Sequence, residues 1–441
     1  MHVSIAQNKV QFIFKDNSSG HSIPRVSVNE NGKNIAVGND SGNVVVVIAT
    51  GNHSFEFSSV GYDSQQLGFM VVKDTVIHIF MKQTDQTLGD VVIVSTTRNN
   101  QPIESAPIKI EVLGKEDMNE ESAIKPASIA SILGDVSGVQ VLQSSATSGN
   151  VSVHIQGLGG RYTQILKDGI PLYDGFSGNF GILSIPPLDL QQIELVKGSA
   201  STLYGGGAIG GLINLISRKP AMKQEATFVA NQTSLKETDL NFFLSKRNQH
   251  IGYTLFSGYT YQKEMDINKD GFSDLPLVNS FNIHPRLFFY FKSTSITAGY
   301  NGTFEKRNGG DMLVLEGKPQ GLHQYFENNL TNRHTGDLNI DQVVNNHVKL
   351  YFKNSVSWFN DAYKSNSLVY SGEQLNYYSE LSTLIKYGNN NSFVGGINVV
   401  GNHLKMTHAN RLIPNHSLQN NTIGFFAQNT WQVKKNTTLE L

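Results

Sequence analysis

The stretch IGYTLFSGYTY, residues 251–261, alternates along its length. Ile251, Tyr253, Leu255, Tyr259 and Tyr261 fall on one side of an extended chain, and Gly252, Thr254, Gly258 and Thr260 on the other. Successive side chains of a β-strand point to opposite faces, so the stretch predicts a strand with one aromatic, apolar face and one small, polar face. The texture returns at Ile296, Ala298, Tyr300 and Phe304, at Val348, Leu350, Phe352, Val356 and Trp358, and at Ile423, Phe425, Ala427, Trp431 and Val433. Each run is about ten residues or more, the length that crosses a bilayer as a tilted barrel strand. Tyr, Phe and Trp recur toward the run ends, as in interfacial girdles. KRNQH (246–250) is a short connection, whereas KEMDINKDGFSDLPLVNS (263–280) and the segment 305–334 are long ones. Short turns on one side and long loops on the other belong to an outer-membrane barrel. The competing reading is a soluble antiparallel sheet protein.

Composition narrows the rest. The chain has 441 residues, net charge -1, 16% charged residues and no cysteine. That suggests two or more domains, without the positive field that draws nucleic acid, and without disulfides, thiolate metal sites or thiol catalysis. The longest apolar run, Val44 to Ala49, has the length of a strand and not of a membrane helix. A chain of this kind that spans a membrane does so as a barrel.

Upstream of the alternation the texture differs. Residues 7–86 carry short β-runs, among them VQFIF, NVVVVIA and TVIHIFM, separated by Gly, Asn, Asp and Ser turns, and they predict a small β-sandwich. MHVSIA, residues 1–6, reads as a signal-peptide remnant, because Ser4 and Ala6 fit the small-residue positions of a cleavage site. Residues 87–98 hold one isolated β-branched run, Val91 to Val94, suited to pairing with another protein's sheet edge; an ordinary edge strand or linker is the plain alternative. Residues 99–219 mix a short helix near Ile129, Ile132 and Leu133 with β-runs and an Asp-Gly turn, as a small α/β domain would.

Gly205, Gly207 and Gly210 have the G-x-G-x-x-G spacing of a dinucleotide site. That site requires a helix after the glycines, so that phosphate rests on its N-terminus. LINLIS, before Lys219-Pro220, is too short and too β-like for that helix. Tight turns and close backbone approach are the structural use of these glycines. GFSGN misses the nucleophile elbow by one residue and no H-E-x-x-H is present, so no enzyme is expected. The histidines fall mostly in turns or at strand ends and are expected to be solvated.

VSVHIQGLGGRYTQILKDGIPLYDG, followed by IPPLDLQQIELVKGSASTLYGGGAIGGLINLISRKP, closely resembles the plug domain of TonB-dependent outer-membrane receptors. SIPRVSV and FSSVGY resemble the carboxypeptidase-regulatory-like extension of some of these receptors, and LGDVVIVSTTR looks like a TonB box. The resemblance implies a mainly β chain: an N-terminal β-sandwich, a small α/β plug at 99–219, and an antiparallel transmembrane β-barrel, incomplete, over 220–441. It implies a non-enzymatic transporter in the outer membrane of a Gram-negative bacterium, with its N-terminal domain in the periplasm. Its partners would be TonB with its inner-membrane complex and a metal chelate, a ferric siderophore or cobalamin-like molecule; a glycan or peptide importer of the same superfamily is the alternative, and a surface adhesion protein the alternative from another class.

Carried onto this sequence, the TonB contact is Asp90, Val91, Val92, Ile93, Val94, Ser95 and Thr96. Ligand-facing plug loops are Gln143, Ser144, Ser145 and Thr147, with Tyr173, Asp174, Phe176, Ser177, Asn179 and Phe180. The plug-to-barrel latch falls on Gln156, Glu194 and Lys197, where Gln156 and Lys197 replace the family's usual arginines and lose their bidentate fork. Residues 220–441 have room for roughly ten to twelve strands, about half of the 22 or so of a plugged transporter, so a barrel fragment is expected. In DINKDGFSDLP, Asp266, Asn268, Asp270 and Asp274 occupy positions of a calcium loop, but Leu277 stands where the bidentate glutamate belongs. Ca2+ in this outer loop is the one cofactor considered, against a plain polar hairpin loop; no other cofactor is expected.

Overall fold

The computed structural model describes residues 7–17, 20–30, 33–39, 41–59, 62–82, 92–93, 101–102, 110–145, 150–172, 185–198, 206–388, 391–409, 417–434 and 437–440. The chain divides into two units, Met1–Val92 and Ile93–Leu441. The division falls inside the segment read as TonB box and linker, of which β8 (Val92–Ile93) is described and pairs with β9 (Gln101–Pro102).

In the first unit β1 (Gln7–Asp16), β4 (Asn43–Ala49) and β7 (Thr75–Met81) form one sheet in the order β4-β1-β7. The other sheet has the order β3-β2-β5-β6, from β2 (Ser27–Glu30), β3 (Lys33–Val37), β5 (Gly51–Ser59) and β6 (Tyr62–Val71). Alternation in β1 sends Val10, Phe12 and Phe14 inward, where they meet Phe55 and Phe57 of β5. The Phe12 and Phe57 ring centroids lie 4.9 Å apart in a tilted arrangement, a geometry that aromatic quadrupoles favour over a face-to-face stack. The sandwich therefore has a core of its own, as its sequence predicts.

The second unit combines a small α/β domain with a large sheet. The domain holds β10 (Ile110–Leu113), α1 (Lys115–Ile124), α2 (Ala130–Gly134), β11 (Val139–Ser145), β12 (Asn150–Ile155), β13 (Thr163–Lys167), β14 (Ile170–Pro171), β15 (Leu190–Lys197) and β16 (Gly211–Ser217). Its central sheet has the order β10-β15-β16-β13-β14, and β11 pairs with β12 in a separate hairpin. LINLIS is the centre of β16, so the glycine turn leads into a strand, and the helix a dinucleotide would need is not formed. Gly211 has φ 150, and a Cβ there would sit 2.6 Å from the Val196 carbonyl oxygen, which accounts for the glycine by close approach. The predicted short helix is α2. The longer α1 is not legible from apolar spacing, since it buries only Met118 and Ser122; its start is marked by Asp117, which accepts from the Gly114 N–H at 2.6 Å.

The large sheet has eleven strands in sequence order: β17 (Glu225–Gln232), β18 (Glu237–Arg247), β19 (Ile251–Gln262), β20 (Leu277–Tyr290), β21 (Thr294–Gly310), β22 (Phe326–Val343), β23 (Val348–Ser365), β24 (Val369–Tyr387), β25 (Asn391–Ala409), β26 (Ser417–Lys434) and β27 (Thr437–Glu440). Every neighbour is antiparallel, and β17 and β27 are the two edges. The segment read as one long loop, 305–334, is shorter than expected: β21 continues to Gly310, β22 begins at Phe326, and α3 (Met312–Leu315) lies between. Many of the polar residues that suggested a loop are strand residues, and every second one faces inward, where Arg307 pairs with Glu305 at 2.6 Å while Lys306 between them is exposed.

The predicted faces hold throughout. Asp239, Asn241, His284, Arg286, Glu305 and Glu380 are buried on the inner face, while Leu287, Val356, Leu381, Ile423 and Phe425 are exposed on the outer one, Phe425 by 79%. A sheet in water arranges these groups the other way round. A polar interior and a continuous apolar exterior are those of a lipid-facing barrel wall. Leu338→Arg on the outer face is expected to reduce stability in lipid vesicles by about 2–4 kcal/mol, with a far smaller effect for Asn339→Arg on the inner face. In the sandwich, Phe12→Ala is expected to cost about 3–5 kcal/mol, read from urea unfolding of residues 7–82.

Candidate functional site

The site is the contact between the α/β domain and the inner face of the wall. It begins at KDG, 167–169, the turn between β13 and β14. Asp168 (φ 52) and Gly169 (φ 77) both lie in the left-handed region, the pair of conformations a two-residue hairpin demands. The Gly169 N–H donates to Asn214 Oδ1 at 3.0 Å; Asn214 Nδ2 donates to Glu194 Oε2 at 3.0 Å; and Gln192 donates to Glu194 Oε1 at 2.9 Å. A fully buried carboxylate thus fixes the amide that fixes the turn.

The turn presents Asp168 to Arg286 of β20, 3.3 Å away, while the Ser217 N–H donates to Asp168 Oδ1 at 2.9 Å. Burial alone raises the Asp168 carboxyl pKa, but Arg286, the Ser217 N–H and Lys167 outweigh it and hold the group below the usual aspartate range. Beside it Asp189 is buried, receiving Lys167 Nζ at 2.9 Å and His284 Nδ1 at 2.7 Å on one oxygen. Burial raises this carboxyl as well, and His284 and Lys167 together pull it far below the usual range. His284 and Arg286 flank Pro285, which has no N–H to give the ladder; the β20–β21 register lapses at 284 and 285.

A second joint lies where the domain passes into the wall. Arg218, just after β16, donates to the Leu190 carbonyl (3.1 Å), Asn119 of α1 (2.6 Å) and Glu225 of β17 (3.2 Å), and its guanidinium covers the Phe243 ring at 5.2 Å. Leu188 packs with Phe243 and Phe256 of the wall, and Asn241 donates to the Pro126 carbonyl at 2.8 Å. Further round, a cavity of about 80 Å³ lies between the β13–β14 hairpin and strands β20 to β23.

Residues 102–212, the domain that carries this hairpin, match the sequence model of the TonB-dependent Receptor Plug Domain. The chain carries a TonB-dependent receptor plug. Over 133 residues it is 33% identical to the vitamin B12 transporter BtuB of Photobacterium profundum, a match that covers 30% of this chain and 21% of that protein. Over 210 residues it is 32% identical to the iron-regulated outer membrane virulence protein of Vibrio cholerae serotype O1, covering 44% of this chain and 30% of that protein. The ferric enterobactin receptor PfeA of Pseudomonas aeruginosa has the same fold, with TM-score 0.62 and 16% identity over 79% of this chain and 58% of its own. FpvA of P. aeruginosa gives TM-score 0.64 and 14% identity over 82% of this chain and 55% of its own. The chain thus spans less than a third of the length of these two curated relatives and a little over half of the solved receptors.

Within the plug, the predicted latch residues are placed differently from one another. Glu194 acts at one remove, through Asn214 and the turn. Lys197 pairs with Glu111 of β10, inside the plug sheet, and Gln156 occupies a left-handed turn after β12. Among the described residues, the plug charges that reach the wall are Lys115, Lys167, Asp168, Asp189 and Arg218, and they meet His284, Arg286 and Glu225. The expectation of solvated histidines fails at His284, which is buried. Its position was readable: it sits two residues from Arg286, and both fall on the inward parity of a spanning strand.

Gln143, Ser144 and Ser145 end β11; Thr147, Tyr173, Asp174, Phe176, Ser177, Asn179 and Phe180 lie outside the described residues, as do Asp90, Val91, Val94, Ser95 and Thr96. In the calcium-like loop, Asp266 accepts from the Lys269, Asp270 and Gly271 N–H groups, Asp274 from those of Ile267 and Asn268, and Asp270 from that of Phe272. Backbone donors thus engage Asp266, Asp270 and Asp274, and among the described residues no group of three or more His, Cys, Asp or Glu is placed to hold a metal.

Both plug aspartates have lower pKa values folded than unfolded. Their stabilisation is therefore complete above the unfolded aspartate value of about 4 and is lost as pH falls below it toward the folded values. The thermal midpoint of the native receptor should hold from pH 7 to about 5 and drop below about 4, and the Asp168→Asn, Asp189→Asn double variant should show a shallower acid drop. At neutral pH, Asp189→Ala should cost about 3–5 kcal/mol by leaving Lys167 and His284 buried without their anion.

Proposed function

We propose that this chain is part of an outer-membrane transporter that takes up a scarce nutrient, drawing energy from TonB through the strand around Val92 and Ile93. The observation that carries the reading is the plug held by ion pairs against the polar inner face of a wall whose outer face is apolar. Such an assembly closes a lumen through contacts that can be broken and remade without covalent chemistry. A plug tethered by a few buried charge pairs is stable at rest and yields to a directed pull. The sandwich, on this reading, lies in the periplasm.

For the cargo we propose a ferric siderophore or a cobalamin-like chelate, supported by the sequence relatives, whose names are those of a vitamin B12 transporter and an iron-regulated outer membrane protein. TonB would engage the chain by strand addition, in which backbone hydrogen bonds bear the load. Proline at the centre of that strand removes a ladder donor. The test is uptake of radiolabelled ferric enterobactin and of cobalamin by the native host, with the native gene product and its Val92→Pro variant. Uptake of one ligand by wild type, lowered at least about tenfold by the proline while surface binding persists, is the expected result. Uptake insensitive to the proline would remove TonB from the scheme, and a protein that salt washes from the membrane would overturn the transporter reading.

A further inference from the structure

At one level of the wall the paired inward residues can be followed strand by strand. Phe243 of β18 lies opposite Phe256 of β19, which lies opposite His284 of β20. Beyond the lapse at Pro285, Asn301 of β21 lies opposite Thr335 of β22, and Thr335 opposite Ser357 of β23. Along this single level the lining changes from two buried aromatic rings, through a buried ionisable ring, to three short polar side chains. The plug follows the change. It packs Leu188 on the aromatic pair and anchors Asp189 and Asp168 at β20. Past β20, the short side chains leave the cavity, which Asn301, Thr335 and Ser357 line from the wall and Lys167, Asp168 and Ile170 from the plug.

Its polar groups are not all used. Asn339 Oδ1, on the cavity lining, is buried and has no hydrogen-bond partner among the described residues; the same holds for Nε and Nη1 of the neighbouring Arg286. A buried polar atom of this kind is stabilised by a water or by a polar solute. Arg333 and Asp337 add one charge of each sign to the lining. The chamber therefore sets polar side chains of the wall against Ile170, Pro171, Leu172 and Ile185 of the plug, and offers a solute hydrogen-bonding groups on its wall side.

We infer that the solute crosses this chain along the β21–β23 wall, through this chamber, while the β17–β20 side remains clamped to the plug. The inference rests on the transport reading above and specifies where that transport takes place. Clamping one side gives a load something to work against. Opening the other side leaves the Leu188, Phe243 and Phe256 cluster and the Asp168 and Asp189 contacts at β20 in place.

This chain has no cysteine, so single thiols report cleanly. Ser357→Cys and Thr303→Cys place one in the chamber wall, and Ser245→Cys places one inward on β18, on the clamped side. The native gene product with each substitution is labelled in the native host by a small hydrophilic maleimide, with and without a protonophore. Labelling at residues 357 and 303 should run at least about fivefold faster in energised cells, with no change at 245. Two chamber positions are used so that one poorly assembled variant does not decide the outcome. Equal acceleration on both sides, or acceleration at 245 alone, would overturn the inference. So would labelling at all three positions that ignores the protonophore. In either case the Val92→Pro uptake result separates the causes: uptake abolished by the proline leaves the transporter standing with its route elsewhere, and uptake unaffected by it removes the energised transporter as well.

Discussion

A peptide N–H or C=O inside a bilayer has no water to turn to, and each one left unpaired costs several kcal/mol. Everything else in the second unit follows from meeting that demand with strands. The ladder from β17 to β27 runs in strict sequence order and pairs nearly every residue. Once backbone polarity is consumed in the sheet, the two faces are free to differ, and they do: Leu287, Val356, Leu381, Ile423 and Phe425 point outward, while Asp239, Asn241, His284, Arg286 and Glu305 point inward beside a few rings such as Phe243 and Phe256. The inner face then needs a polar filling, because charged side chains buried in a lumen are tolerated only with partners. The plug supplies them.

How it does so is economical. One two-residue turn carries Asp168 to Arg286, and the adjoining Lys167 shares Asp189 with His284. The turn is held from behind by Asn214 and Glu194, so the inner sheet of the plug and its contact with the wall form one hydrogen-bonded chain. Arg218 has the same role at the passage from plug to wall, where it ties α1, β17 and the 188–190 corner to one guanidinium. Lysine at this place could not satisfy three partners in three directions while covering a ring.

The sequence shows some of this openly and hides the rest for physical reasons. Two-residue alternation survives burial, tilt and curvature, because it is fixed by the backbone itself; hence the runs at 251–261, 296–304, 348–358 and 423–433 and their faces were legible, whereas LINLIS, buried on both faces, showed only its β-like composition. Strand ends were not. At 305–310 and 326–334 polar residues continue a strand because the lumen accepts them, whereas the same composition at a soluble surface marks a loop. Helix α1 was hidden because it buries two side chains and starts on a carboxylate cap instead of an apolar stripe. The ion pair of Asp168 with Arg286 joins residues more than a hundred positions apart, and spacing cannot reveal such a pair. What could have been read is the parity of His284 and Arg286, which puts an imidazole and a guanidinium on the inward side of a spanning strand.

Strand length carries a further meaning. β17 has 8 residues and β24 and β25 have 19, with a steady increase between β17 and β22. A bilayer of fixed thickness uses only about 9–11 residues of a tilted strand, so the surplus in the long strands stands clear of the lipid. At about 3.3 Å per residue and a tilt near 40°, eight or nine surplus residues amount to roughly 20 Å of free-standing wall. The wall described by these strands is therefore uneven in height, low at β17 and tall at β22–β25. That profile is set, strand by strand, by nothing more than how many residues each strand pairs with its neighbours.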